Sequence, residues 1–153
     1  MSQNKNINIL VLNGPNLNLL GTRKPEIYGN QTLEDVVTLL KEKAASHGVG
    51  VTFKQSNHEG DLIDYIQQAK NTIDGIIINA GGYSHTSIAI RDALEAVEIP
   101  TYEVHVSDVT KREDFRKKSF ISDVALGMIC GKGINGYAMA FDKLVRYIRE
   151  NTM

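Results

Sequence analysis

Two pairs of residues in this chain have the types and spacing for proton transfer. The first is Arg23 and Tyr28, within the stretch Asn13 to Gly29, NGPNLNLLGTRKPEIYG. A phenol with an ordinary pKa near ~10 is a poor base at neutral pH, but a neighbouring guanidinium favours the phenolate. The pair is therefore a candidate tuned proton acceptor, although an Arg-x4-Tyr also suits a solvated surface loop. The second pair is Glu103 and His105 in YEVHVS. Side chains alternate along an extended chain, so these two share a face. A carboxylate beside an imidazole orients the ring and favours its protonated form, preparing it to donate a proton. Taken alone, E-x-H at a strand end also describes a surface ion pair. Asn16, Asn79, His85, Ser107, Arg112 and Arg116 are the further polar residues that could meet a ligand.

The elements that must position these groups follow from periodicity. Short β-branched runs at residues 7 to 12, 49 to 55, 73 to 78, 101 to 106 and 124 to 130 read as strands. Helices are expected from Thr32 to His47, Asp61 to Lys70, Ile88 to Val97 and Ile134 to Arg149, with a short basic helix over Lys111 to Lys118. On that helix Arg112 and Arg116, four apart, face one way and could point back into a cleft. His58 and Glu59 read as a solvated turn. Strands alternating with helices imply a parallel sheet covered on both faces, and the order 2-1-3-4-5 of a flavodoxin-like three-layer α/β fold is expected over one domain, 1–153. Ligands of such sheets bind outside the carboxyl ends of the strands, near the switch between strands 1 and 3. The polar residues named above all fall at that edge. The Asn13 to Gly29 loop, about 17 residues long, exceeds an ordinary connection, and loops of that length are usually functional or disordered.

Several function classes are disfavoured. A net charge of −1 over 153 residues gives no global attraction to nucleic acid or to an anionic membrane, and no run approaches the length of a membrane span. The start MSQNKN lacks the apolar core of a signal peptide. The single cysteine, Cys130, cannot form an internal disulfide and reads as a buried thiol, consistent with a reducing, cytoplasmic setting. The histidines show neither HxH nor HExxH spacing, so no metal is expected. Gly131 to Gly136 matches G-x-G-x-x-G, but no strand with a ribose-binding acid follows, and the glycines read as close helix packing. An FMN carrier would want a Thr/Ser-rich loop after strand 1, which is absent, though Tyr83 or Tyr102 could flank a flavin. A nucleic-acid module would have to rely on the basic 111 to 118 segment alone.

Four long segments in order resemble one family over essentially the whole chain: LNGPNLNLLGTRKPEIYG at 12 to 29, INAGGYSHTSIAIRDAL at 78 to 94, YEVHVS with KREDFRKKS at 102 to 119, and GMICGKGINGY at 127 to 137. The family is the type II 3-dehydroquinases, cofactor-free lyases of the shikimate and quinate pathways. The resemblance implies reversible dehydration of 3-dehydroquinate to 3-dehydroshikimate through an enolate. It implies Tyr28 as the base at C2, Arg23 and Arg112 as its positive environment, Asn16 as the enolate stabiliser through a water, and His105, held by Glu103, as the general acid. It further implies Asn79, Val106 and Ser107 at the substrate carboxylate, and His85, Arg116 and a neighbouring subunit's Asp92 at the ring hydroxyls. A dodecamer built from trimers comes with that last residue. The chain departs from the family pattern at Ser107-Asp108-Val109-Thr110, where Asp108 brings a negative charge close to the carboxylate site, and at Tyr83-Ser84. The Schiff-base dehydroquinase is a barrel of about 250 residues, longer than this chain.

Overall fold

The computed structural model describes residues 6–22 and 24–151, with Tyr28 described by its backbone alone. Five strands form one parallel sheet in the order β2-β1-β3-β4-β5: β1 Asn8–Asn13, β2 Gly50–Gln55, β3 Gly75–Asn79, β4 Thr101–His105 and β5 Gly127–Cys130. The expected flavodoxin-like order is the observed one. The helices are α1 Pro25–Tyr28, α2 Leu33–His47, α3 Glu59–Ala69, α4 Ile88–Val97 and α5 Asn135–Asn151.

Strand parity divides the core in two. Ile9, Val11, Ile77 and Val104 point to the face covered by α2 and α5, where Val36, Leu40, Tyr137, Phe141 and Leu144 are buried. Leu10, Leu12, Ile76 and Ile78 point to the opposite face, against Leu62 and Ile66 of α3 and Ile90 and Leu94 of α4. Each such side chain removed from water contributes about 1.5–3 kcal/mol, which explains why the central strands are apolar on both faces. Parity also decides what their last residues do. Asn13 and Asn79, paired in register, follow Val11 and Ile77 onto the α5 face. Glu103 and His105 flank Val104 and so lie on the other face.

Local signals set the helix limits. Thr32 caps α2 with a reciprocal box: its side chain accepts from Asp35 N at 3.2 Å, and Asp35 Oδ2 accepts from Thr32 N at 2.9 Å. Glu59, expected in a turn, instead opens α3 and accepts a hydrogen bond from the Ser87 hydroxyl that starts α4. Residues 111 to 118 do not form one helix. Two short 3-10 turns, Val109–Lys111 and Asp114–Arg116, are separated by extended backbone at Arg112 (φ −105°, ψ −165°). Asp108 caps the first turn through Thr110 N, and buried Val109 anchors it, so the chain bends around the sheet edge instead of presenting one helical face. Strand β5 is shorter than expected because Ser122–Val124 forms another 3-10 turn and the β4 ladder starts at Leu126 N, which donates to Thr101 O at 2.7 Å.

Candidate active site

A cavity of about 160 Å³ opens at the carboxyl edge of the sheet. From the segment after β1 it is lined by Pro15, Asn16, Leu17 and Leu20, and from that after β3 by Asn79, Gly81, Gly82 and His85. The end of β4 and the turns beyond supply His105, Val106, Ser107, Val109, Arg112 and Arg116. It is small beside the roughly 300–1,000 Å³ of pockets for drug-sized ligands, which suits a compact polar molecule better than a flavin nucleotide.

The acid side is built on β4. Glu103 is fully buried and His105 is 5% exposed, with His105 Nε2 and Glu103 Oε2 2.5 Å apart. Burial raises the Glu103 carboxyl, but the hydrogen bond and charge of His105, together with the hydroxyls of Ser119 and Ser122, outweigh it and hold the group below the usual carboxylate range. Glu103 is therefore an ionised acceptor, His105 Nε2–H is the donor to it, and Nδ1 is the ring nitrogen left for a ligand. The His85 ring stacks on His105 with centroids 6.0 Å apart, and its Nδ1 donates to the Lys118 carbonyl at 2.7 Å.

The floor is an asparagine-tyrosine network. Tyr137 of α5, fully buried, donates to Asn13 Oδ1 at 2.5 Å and accepts from Asn79 Nδ2 at 3.0 Å. Asn79 Oδ1 accepts from Gly81 N at 3.1 Å, so the amide is oriented with one N–H remaining for the cavity it lines. Burial drives the Tyr137 phenol far above its ordinary range, and the bond from Asn79 lowers it only in part, so Tyr137 stays protonated and is no base.

Asn16 holds a left-handed backbone (φ 71°), a conformation that asparagine tolerates better than most residues. Asn57 Oδ1, after β2, accepts from its N–H at 3.0 Å. Gly14 passes so close to the start of the β3 turn that a Cβ there would lie 2.4 Å from Ala80 O, which is why this position takes no side chain. The long loop is thus partly built: Leu20 is buried, Leu17–Leu19 forms a 3-10 turn, and Pro25 opens α1 at its first position.

Arg112 and Arg116 do converge on the cavity, by another route than a shared helical face. Glu113 Oε1 lies 2.9 Å from Arg116 Nε and 3.7 Å from Arg112 Nε, and Arg112 Nη1 donates to Ser107 Oγ at 3.3 Å. Asp108 is turned away: its carboxylate takes the Thr110 N–H at 3.0 Å and lies 3.7 Å from Cys130 Sγ, and it does not line the cavity. Cys130 is half-buried, not buried as expected, and burial followed by the Asp108 charge raises its thiol. Gly136 packs close to Val104 and Ile129, as the packing reading of the glycines requires, whereas Gly131 and Gly133 serve positive φ angles of 76° and 59°. Asp92 is exposed on α4 and does not line this cavity. Arg23 and the Tyr28 side chain lie outside the described residues.

Ser119 and Ser122 escape a reading from spacing, the first in an irregular stretch and the second opening a 3-10 turn, with no motif of their own. The signal that points to them is the acid itself. A carboxylate buried on a central strand needs more donors than one imidazole can supply.

Comparison with known proteins gives the family. The family described as Dehydroquinase class II matches residues 7–145. A "3-dehydroquinate dehydratase" of Prochlorococcus marinus (strain NATL1A) is 54% identical over 144 residues, 94% of this chain and 99% of the relative. One of Rhodopseudomonas palustris (strain TIE-1) is 60% identical over 137 residues, 89% of this chain and 91% of that one. The crystal structure of the type II dehydroquinase from Butyrivibrio crossotus superposes with a TM-score of 0.89 at 50% identity, covering 92% of this chain and 98% of the other. With the family matching nearly end to end and the same architecture beneath it, this chain belongs to the class II dehydroquinases.

Proposed function

We propose how the residues of this cavity divide the work of a class II dehydroquinase, the hydro-lyase that converts 3-dehydroquinate to 3-dehydroshikimate and water in the shikimate pathway. The Tyr28 phenolate, favoured by the charges of Arg23 and Arg112, removes the C2 proton alpha to the ketone. The electron pair moves onto the ketone oxygen, and the resulting enolate is stabilised through a water held by Asn16. The enolate then collapses, the C1–O bond breaks, and His105 gives its proton to the departing hydroxyl, which leaves as water. The observation that carries this reading is His105, backed by the buried Glu103 carboxylate, opening on the same cavity as Asn16, Asn79 and Arg112. Asn79 with Val106 and Ser107 binds the substrate carboxylate, and His85 and Arg116 take ring hydroxyls.

Asp92 completes the site from a neighbouring subunit in a dodecamer of trimers. Its exposure on α4, off its own chain's cavity, supports a role across an interface. The Asn13 to Gly29 loop closes over the substrate and excludes water. The test is direct. Wild-type protein with 3-dehydroquinate develops the ultraviolet absorbance of the conjugated enone, and Tyr28→Phe does not. A silent wild type ends the proposal, and an active Tyr28→Phe removes the assigned base. Saturating ligand should slow cleavage after Arg23 by trypsin; equal rates with and without it end the closing loop.

A further inference from the structure

Among the described residues the Glu103 carboxylate accepts from three donors, of which His105 is one. Ser119 Oγ donates to Oε2 at 2.6 Å and Ser122 Oγ donates to Oε1 at 2.5 Å. Neither serine lines the cavity. Both belong to segment 118–122, which is irregular up to the 3-10 turn that starts at Ser122, passes behind the cavity and also offers the Lys118 carbonyl to His85. That segment is itself secured at several points. Ile121 is fully buried, Phe120 N donates to Ser84 O at 2.8 Å, and Arg91 of α4 donates to Phe120 O at 3.0 Å.

We propose that segment 118–122 is a strap that positions the acid half of the site, with Ser119 and Ser122 keeping Glu103 ionised and aimed at His105 Nε2 while the Lys118 carbonyl fixes the His85 tautomer. The inference rests on the assignment of His105 as the general acid. Its physical basis is a competition for one proton. At 2.5 Å from a buried carboxylate, an imidazolium can lose its proton to that carboxylate, and low polarity favours the neutral pair over two charges. A ring neutralised in this way keeps only the Nδ1–H of a neutral imidazole, a far weaker acid than imidazolium toward the leaving hydroxyl. Two hydroxyl donors on the carboxylate stabilise its anionic form selectively and so oppose the transfer. Among the described residues, the other groups around His105 do not replace them. The stacked His85 ring donates elsewhere, Arg112 and Arg116 lie on the cavity side bound to Ser107 and Glu113, and Cys130, its register partner on β5, keeps its proton.

The experiment is the pH dependence of kcat and KM for Ser119→Ala, Ser122→Ala and the double variant, with threonine at each position as the conservative replacement. Glu103→Gln is measured beside them, and melting curves report folding. In the double variant we expect the acid limb of the kcat profile to move up by about one pH unit, as a buried carboxyl losing two donors requires. We expect kcat to fall about tenfold and KM to stay within about twofold, since the serines do not touch the cavity. Each single alanine variant should fall between wild type and double, which keeps the test open if the double variant does not fold. Threonine should restore the limb. A double variant with wild-type kcat and limb, a loss confined to KM, or threonine behaving as alanine overturns the strap. If Glu103→Gln is impaired while the serine variants are normal, the strap falls and the acid pair stands. Full activity in Glu103→Gln removes the acid pair and the strap with it.

Discussion

Tyr137→Phe is the substitution whose consequences the structure fixes most closely. The ring keeps its place among Val104, Ile129 and Phe141, so only the hydroxyl is lost. That hydroxyl donates to Asn13 Oδ1 at 2.5 Å and accepts from Asn79 Nδ2 at 3.0 Å, and the two asparagines are 2% and 3% exposed. Both would be left with an unpaired group out of reach of bulk water, each at about 1–3 kcal/mol. Removing a hydroxyl that was itself desolvated returns about 1–2 kcal/mol. The net loss is about 1–4 kcal/mol, or a Tm lower by roughly 2–16 °C for a chain of this size. Urea denaturation at fixed protein concentration measures it, so that any subunit association is held constant. Because the Asn79 amide also loses one of its two orienting hydrogen bonds, KM for 3-dehydroquinate should rise about tenfold, or about 1.4 kcal/mol of binding. A stability change within about 0.5 kcal/mol would refute the reasoning, since it would mean that the buried asparagines do not depend on Tyr137.

Three other outcomes are expected. Gly14→Ala would drive a methyl to 2.4 Å from the Ala80 carbonyl, a backbone atom that cannot step aside, so it should cost at least about 1–3 kcal/mol and lower kcat by separating the ends of β1 and β3; thermal melting and the enone assay read the two effects. Thr32→Ala removes half of the α2 capping box and should cost about 1 kcal/mol in melting experiments while kcat stays within about twofold. Stability should also fall in acid, as a denaturation series across pH 3 to 7 would detect. Glu103 has a folded carboxyl below its ordinary 4.5, so its contribution is complete above that value and is lost as pH falls through the lower folded pKa. In Glu103→Gln that part of the acid slope should disappear.

Most of the frame and much of the site could be read from residue types because both rest on strand parity. Once β4 is extended, Glu103 and His105 must share a face, and once β1 and β3 are adjacent, Asn13 and Asn79 must pair in register. Reading the 111 to 118 segment as a helix failed for a physical reason. Its charged residues have good helix propensity, but buried Val109, the Asp108 cap and the shared Glu113 contact reward a chain that bends around the cavity. Propensity counts local preferences only, and tertiary contacts decide over so short a stretch. Ser119 and Ser122 were hidden for a related reason. Their role exists only because Ile121 packs under the sheet and brings both hydroxyls to a carboxylate more than fifteen residues earlier in sequence.

The two halves of the proposed chemistry stand on supports of different stiffness, and this has a consequence that kinetics can separate. The acid half and the Asn79 floor are side chains of the last residues of central strands, fixed by the ladder, by α5 and by segment 118–122. The base half belongs to the loop after β1. Its first part is tied down by Gly14 N to Asn79 O at 2.7 Å, by Asn16 N to Asn57 and by buried Leu20. Beyond Gly21, the bonds of the described residues are local, such as Gly29 N to Pro25 O at 2.8 Å, and Lys24 to Ile27 are exposed. A substitution beneath β4 or in α5 must therefore change melting and catalysis together, because the same contacts hold the fold and aim the acid. A substitution at Thr22 or from Lys24 to Ile27 can change kcat with almost no change in melting, because these residues are exposed and little of the core depends on them. Loop variants that melt early in proportion to their loss of kcat would show that the base half is as much a part of the core as the acid half, and the division drawn here would not hold.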